Sequence, residues 1–250
     1  MKDNDRLVKA ISKIGEMLLE NGAETLRVED TMKRIALSYG ATIVDSYATP
    51  SMIIISYTLD GIMNHNIKRT KVKRVDLDKI DKLNNLSRRV CKGISLDDFI
   101  NELDKIEDNK VYNKYLMIFM SGFCAFGFAF VFNGGIKEAM ACFVIGLLLK
   151  ILMSELEKID FVSLFNNIVG GAFVSFMALI SAKNGFSDLD TVIIATDMLL
   201  VPGLAITNAI RDVVSGDLIS GIIRALEAII VALGIALGSA FILKLFGGFR

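Results

Sequence analysis

The sequence predicts an α-helical integral membrane protein of about five transmembrane helices, preceded by an N-terminal cytoplasmic α+β domain. Three observations predict it. Charge is unevenly spread: residues 1–114 hold 20 of the 28 basic and 18 of the 28 acidic residues, so the rest of the chain has too few polar groups to cover a water-facing surface. Long uncharged apolar runs occupy that second half. One of them, Thr191 to Arg211, is interrupted by Asp197 and by the helix-breaking pair Pro202-Gly203.

The polar part, residues 1–114, reads as two helices, a short sheet and two more helices. Asp5 to Glu20 repeats Leu7, Ile11, Ile14 and Leu18 at helical spacing and stops at Asn21-Gly22. A second helix spans about Ala23 to Tyr39, closed by Gly40 in the same way. Thr42 to Ala48, Ser51 to Thr58 and Met63 to Lys71 read as strands, with Asp60-Gly61 as the hairpin turn between the last two. Two helices follow, about Asp76 to Cys91 and Leu96 to Asp108, the second with Ser95 as N-cap and Asp98 completing a capping-box-like pattern.

The apolar part, residues 115–250, divides by uncharged length, because a hydrocarbon core of about 30 Å needs roughly 20 helical residues. Tyr115 to Ile136 and Phe161 to Ala182 carry no charge. Residues 139–156 form the span between them; Lys150 snorkels along its aliphatic stem, and Asn133-Gly134-Gly135 supplies the preceding turn. The broken run 191–210 is the fourth span and 218–246 the fifth. In a bilayer the carbonyls freed by Pro202 must be satisfied by protein, water or solute, so the break marks a candidate passage.

Met1 to Arg6 leads into an amphipathic pattern instead of a secretory signal, so the polar domain is expected in the cytoplasm, with Arg250 on the far side of the plasma membrane after five spans. The loop charges scarcely vote on orientation. Cys91 stands alone in the polar domain, while Cys124 and Cys142 fall in apolar spans; no disulfide framework follows. The lone histidine, His65, has no partner at ligand spacing, and no metal or cofactor is expected.

Gly22-Ala23-Glu24-Thr25-Leu26-Arg27-Val28-Glu29-Asp30, with the corner Tyr47-Ala48-Thr49-Pro50-Ser51, resembles the threonine/serine exporter family of membrane proteins. Val201-Pro202-Gly203, Asn208 to Asp212, Gly216-Asp217 and Ser220-Gly221 before Arg224 resemble that family's membrane signature in the same order. The resemblance covers nearly the whole chain. Fused members carry about twice as many spans, so this chain is similar to the split form. That form implies a separate small membrane protein as partner and export of a hydroxy amino acid or of a dicarboxylate such as succinate.

Candidate pathway residues are Asp197, Pro202, Gly203, Asn208, Arg211, Asp212, Asp217, Arg224 and Glu227. An acid at membrane depth costs about 2.5–3.5 kcal/mol on insertion scales and persists where it carries protons, binds solute or pairs internally. Pro202-Gly203 reads as a simple kink or as an unwound hinge whose carbonyls and helix ends meet an amino or carboxylate group. Arg211, Asp212 and Asp217 suit an interfacial turn. Arg224 and Glu227, three residues apart, are expected to form an intrahelical ion pair. Glycine faces, including Gly234 and Gly238 at GxxxG spacing, suit packing within the chain, against the missing half, or against another copy.

In the polar domain Glu24, Thr25, Arg27, Glu29 and Asp30, with Thr49 and Pro50, form the second candidate group. Acids at a helix start favour the dipole, and an Arg27 bridge is expected among them. No nucleophile and base are assembled for hydrolysis, so no enzyme is expected. The basic run Lys68 to Arg74 reads as a solvated loop that could touch anionic headgroups; no nucleic-acid motif accompanies it. The expected function is one half of a secondary-active small-molecule exporter. The rivals are a membrane-anchored metabolite sensor and a membrane-embedded hydrolase, neither of which needs the broken helix.

Overall fold

The computed structural model describes residues 2–70, 75–108, 112–159 and 163–246, and divides into two compact units. The first comprises Met1–Lys110 together with Leu204–Ala225, the second Val111–Gly203 together with Leu226–Arg250. Segment Leu204–Ala225, read from sequence with the apolar half, thus packs with the N-terminal elements. Of the sequence expectations, Lys71 to Arg74, Phe161 at the start of the third span, and Arg250 lie outside the described residues.

In the first unit, α1 (Lys2–Glu20) and α2 (Thr25–Ser38) precede an antiparallel meander of β1 (Val44–Thr49), β2 (Met52–Leu59) and β3 (Ile62–Arg69), then α3 (Leu77–Val90) and α4 (Leu96–Glu107). The β2–β3 hairpin turns through Asp60 and Gly61, both at positive φ (53° and 74°), the geometry a two-residue primed turn requires. The apolar stripe of α1 meets Val28, Met32 and Ile35 of α2 and the inward residues Ile53, Ile55 and Tyr57 of β2 in one core, which α3 and α4 close with Leu83, Leu86, Phe99 and Leu103. Ser95 caps α4 as expected, accepting from Asp98 N at 3.1 Å and donating to the Asp98 carboxylate at 2.7 Å. Lys68 and Arg69 belong to β3, not to a loop; Lys68 pairs with Glu16 at 2.5 Å, which corrects the solvated-loop reading for that end of the basic run.

The second unit contains α5 (Lys114–Val131), α6 (Ile136–Leu156), α7 (Ser163–Lys183), α8 (Leu189–Asp197) and the greater part of α10 (Leu218–Phe246), with α9 (Gly203–Val214) lying between the last two in sequence. Among the described residues four helices, α5, α6, α7 and α10, are long and apolar enough to cross a membrane. The first span ends at Val131, five residues earlier than the uncharged run suggests, because Asn133 takes a positive φ of 61° and Gly134 N bonds back to Ala129 O. Glu138 then accepts from Gly135 N at 2.9 Å to start α6, and from Asp188 N at 3.0 Å at the cap of α8. The core of this unit is built largely from alanines, among them Ala125, Ala129, Ala139, Ala178 and Ala195, which let helices approach closely. Where α10 meets α7, Gly238 and Gly171 have no room for a side chain: a Cβ would lie 2.0 Å from Ile168 O and 2.4 Å from Ile235 O respectively.

The run read as a single broken span is two short helices. Residues 198–202 separate α8, nine residues long, from α9, twelve residues long. At about 1.5 Å per residue neither reaches the roughly 30 Å of a hydrocarbon core.

Candidate functional site

Residues 22–30 and 208–224, which carry most of the family resemblance, meet in the first unit. The junction begins at the end of α1. Gly22 adopts φ +91°, Ala23 N bonds to Leu18 O and Gly22 N to Leu19 O, so the helix closes on a Schellman motif. That turn leaves the carbonyls of Gly22 and Ala23 pointing away from the helix. Asn208 of α9 donates its amide to Gly22 O at 2.9 Å, and Arg224 of α10 donates to Ala23 O at 2.9 Å.

The next two residues of the motif continue the junction. Glu24, which caps α2 without a side-chain bond to that helix, forms an ion pair with Arg211. Thr25 donates to Asp212 Oδ1 at 2.9 Å, and Asp212 Oδ2 lies 3.1 Å from Arg224 Nε. The Asp212–Arg224 side chains are 1% and 5% exposed, so this is a buried ion pair. Burial pushes the Asp212 carboxyl above its ordinary range, opposed by the Thr25 hydroxyl and the Arg224 guanidinium.

The α9–α10 corner explains why Gly216-Asp217 and Ser220-Gly221 stand where they do. Gly216, at φ +93°, ends α9 with Gly216 N to Val213 O and Asp217 N to Asp212 O. Asp217 then caps α10 by accepting from Ser220 N at 3.1 Å. Gly221 allows the contact of the two helices, since a Cβ there would lie 2.4 Å from Val213 Cγ2.

A second junction ties α2 to the strand corner. Glu29 accepts from Ala48 N at 2.7 Å through its carboxylate and from the Ser46 hydroxyl at 3.0 Å through its carbonyl. Burial raises the Glu29 carboxyl above its ordinary value; the Ala48 bond opposes this, and Asp217 and Asp212 add to it. Thr49 bonds to Ser51 and Met52 O, and Pro50 O accepts from the buried Thr70 hydroxyl at 3.2 Å, so these two shape the β1–β2 turn.

Two sequence expectations are corrected here. Arg27 is exposed and makes no ion pair among the described residues, because Glu24 turns to Arg211 and Asp30 pairs with Arg34 at 3.1 Å one turn along α2. Arg224 does not pair with Glu227. Its guanidinium reaches Asp212 and Ala23 O, while Glu227 is exposed and forms no ion pair among the described residues. Sequence spacing favours the intrahelical partner; burial against the α1–α2 turn selects the other one.

Asp197, Pro202 and Gly203 belong to the second unit. Asp197 ends α8, and its backbone carbonyl accepts from Leu200 N and Val201 N as the helix unwinds. Its Oδ1 is buried without a hydrogen-bond partner among the described residues. Beside it Thr196 is fully buried, as is Ser175 of α7. A polar residue inside an apolar run is the sequence signal for both, and only the fold, by burying them, sets Thr196 and Ser175 apart from other such residues. No group of three or more His, Cys, Asp or Glu suited to a metal occurs among the described residues.

The family described as "Putative threonine/serine exporter" matches residues 9–246. The chain belongs to this family. Within the curated relatives of the threonine/serine exporter family, it is 22% identical to the "Probable succinate transporter subunit YjjP" of Klebsiella aerogenes, over 92% of this chain and 90% of that one. The protein of the same name from Escherichia coli is 20% identical, over 93% and 92%. The "Probable threonine/serine exporter" of Mycobacterium tuberculosis is 20% identical over 90% of this chain, which spans only 44% of that longer exporter. No solved structure matches the chain.

Proposed function

We propose that this protein is one subunit of a two-component exporter of small carboxylate-bearing metabolites, a hydroxy amino acid or a dicarboxylate such as succinate. Two supports favour the two-component form. Relatives of matching length are named as transporter subunits, and the longer relative is about twice this chain. In this reading the long apolar spans lie in the cytoplasmic membrane and the N-terminal domain faces the cytoplasm.

The observation that carries the reading is the break at residues 198–202 immediately after Asp197, whose Oδ1 is buried without a partner among the described residues. A buried carboxylate oxygen left unbonded is unstable unless a proton, an ion or a solute group meets it. Unwound backbone at a helix interruption offers free carbonyls and helix-end dipoles to the same visitor. The contacts of the first unit support a different role for the remaining pathway candidates. Asn208, Arg211, Asp212 and Arg224 hold α9 and α10 to the N-terminal domain, which makes them gating or assembly residues in this proposal, and Asp217 a helix cap.

Efflux from vesicles preloaded with labelled threonine, serine and succinate, with this chain alone and with a candidate small membrane partner, tests the reading. Efflux is expected only with both chains, is expected to fall at least tenfold when Asp197 is replaced by Asn, and is expected to lose its pH dependence in that variant. No flux from a well-inserted pair would favour a membrane-anchored sensor instead.

A further inference from the structure

The first unit contains a cavity of about 340 Å³ at the α1–α2 corner, walled by α3 and α9. Small-molecule sites occupy roughly 300–1,000 Å³, so this one has the size of a small metabolite. Three charged side chains line it, Glu24, Arg27 and Arg211. Glu24 and Arg211 neutralise each other as an ion pair. Arg27 has neither an ion pair nor a hydrogen bond among the described residues, which leaves the wall with one uncompensated positive charge. Asn84 also lines the cavity, half-buried, and its amide makes no hydrogen bond among the described residues. The remaining wall is aliphatic at Leu18, Leu77, Ile80 and Leu204 and polar at Thr207 and Asn208.

From this we infer that the cavity binds a small carboxylate, held by the Arg27 guanidinium and the Asn84 amide with its carbon skeleton against the leucines. A guanidinium presents two parallel donors that match a carboxylate, and one free cation matches one such anion. The Glu24–Arg211 contact in the same wall is an internal instance of the bond the ligand makes to Arg27. A carbon skeleton packs on Leu18, Leu77, Ile80 and Leu204, a contact that inorganic phosphate cannot make. The site draws on no residue of the second unit, so it is separate from Asp197, although its α9 wall includes Asn208 and Arg211 of the proposed gating junction.

Equilibrium titration of the purified full chain in detergent tests it, using succinate, threonine, threoninol and inorganic phosphate as probes. Succinate and threonine are expected to bind, threoninol, which lacks the carboxylate, and phosphate at least about tenfold more weakly. Arg27→Gln is expected to weaken both carboxylates about tenfold or more. Because Arg27 is exposed and unpaired among the described residues, its unfolding midpoint should stay at the wild-type value, which separates lost binding from lost fold. Asp197→Asn is expected to leave both affinities within about twofold. The inference is overturned if no probe binds with a dissociation constant of about 1 mM or tighter, if Arg27→Gln binds as wild type does, or if threoninol or phosphate binds as well as the carboxylates. Arg27-dependent binding without efflux would retire the export reading and leave this site standing.

Discussion

Asp212 and Arg224 illustrate how a buried pair is retained. Two charges removed from water recover their desolvation only with good partners, and here Thr25 and the Ala23 carbonyl supply the additional bonds. Asp212→Ala would strand the guanidinium and is expected to destabilise by about 3–5 kcal/mol. Asp212→Leu with Arg224→Met, which removes both charges, is expected to recover much of that loss; unfolding in detergent of the single and double variants measures the coupling. Glu29 makes a pH prediction. Its carboxyl is held above the ordinary 4.5 in the fold, mainly by burial. The folded state therefore binds its proton more tightly than the unfolded chain does, so stability falls as pH rises from the ordinary value through the raised one. Glu29→Gln keeps an oxygen for Ala48 N–H but cannot ionise. It should unfold a few degrees above wild type at pH 8, with the difference vanishing towards pH 4; an equal difference at both pH values would contradict the burial argument.

Among the helices, close approach of backbones is what the glycines make possible. At Gly238 an added methyl would meet the Ile168 carbonyl, which belongs to the helix backbone and cannot swing aside. Gly238→Ala is therefore expected to destabilise by about 1–3 kcal/mol through overpacking. Gly127→Ala is the control: nothing lies within 4 Å of the place its methyl would take, so thermal unfolding should be unchanged or slightly raised. The α9–α10 corner shows a different use of the residue, because Gly216 at φ +93° must reverse the chain within two residues for Asp217 to cap the next helix. Together these explain why short helices such as α9, which could not persist alone, hold a fixed place: the energy comes from packing and polar contacts, not from propensity.

Over the whole molecule, the family membership and the relatives' names point to export, and the chain's length matches the relatives named as subunits. If the junction of α1–α2 with α9–α10 couples the N-terminal domain to transport, weakening it without unfolding the protein should alter flux. Asn208→Ala removes one neutral bond to Gly22 O, worth about 1 kcal/mol. Reconstituted with the proposed partner, that variant is expected to transport at a changed rate with the substrate preference intact, whereas Asp197→Asn should reduce flux for every substrate. Identical behaviour of Asn208→Ala and wild type in the efflux assay would confine the junction to a structural role.

Element type and position were written locally in the sequence. Apolar spacing, the Gly22 and Gly40 stops, the Asp60-Gly61 turn and the Ser95 cap depend on residues a few positions apart, so α1 to α4 and the meander could be read directly, as could the long apolar helices. Partners were another matter. Arg224 had an acid three residues away and one twelve residues away, and nothing local says that the first is exposed while the second is buried with Thr25. Likewise the chain order alone gave Leu204–Ala225 to the apolar half, whereas its contacts give it to the N-terminal unit. Local geometry is fixed by short-range sterics and hydrogen bonding, but the choice among competing charged partners is decided by desolvation, which exists only once the chain has folded around them.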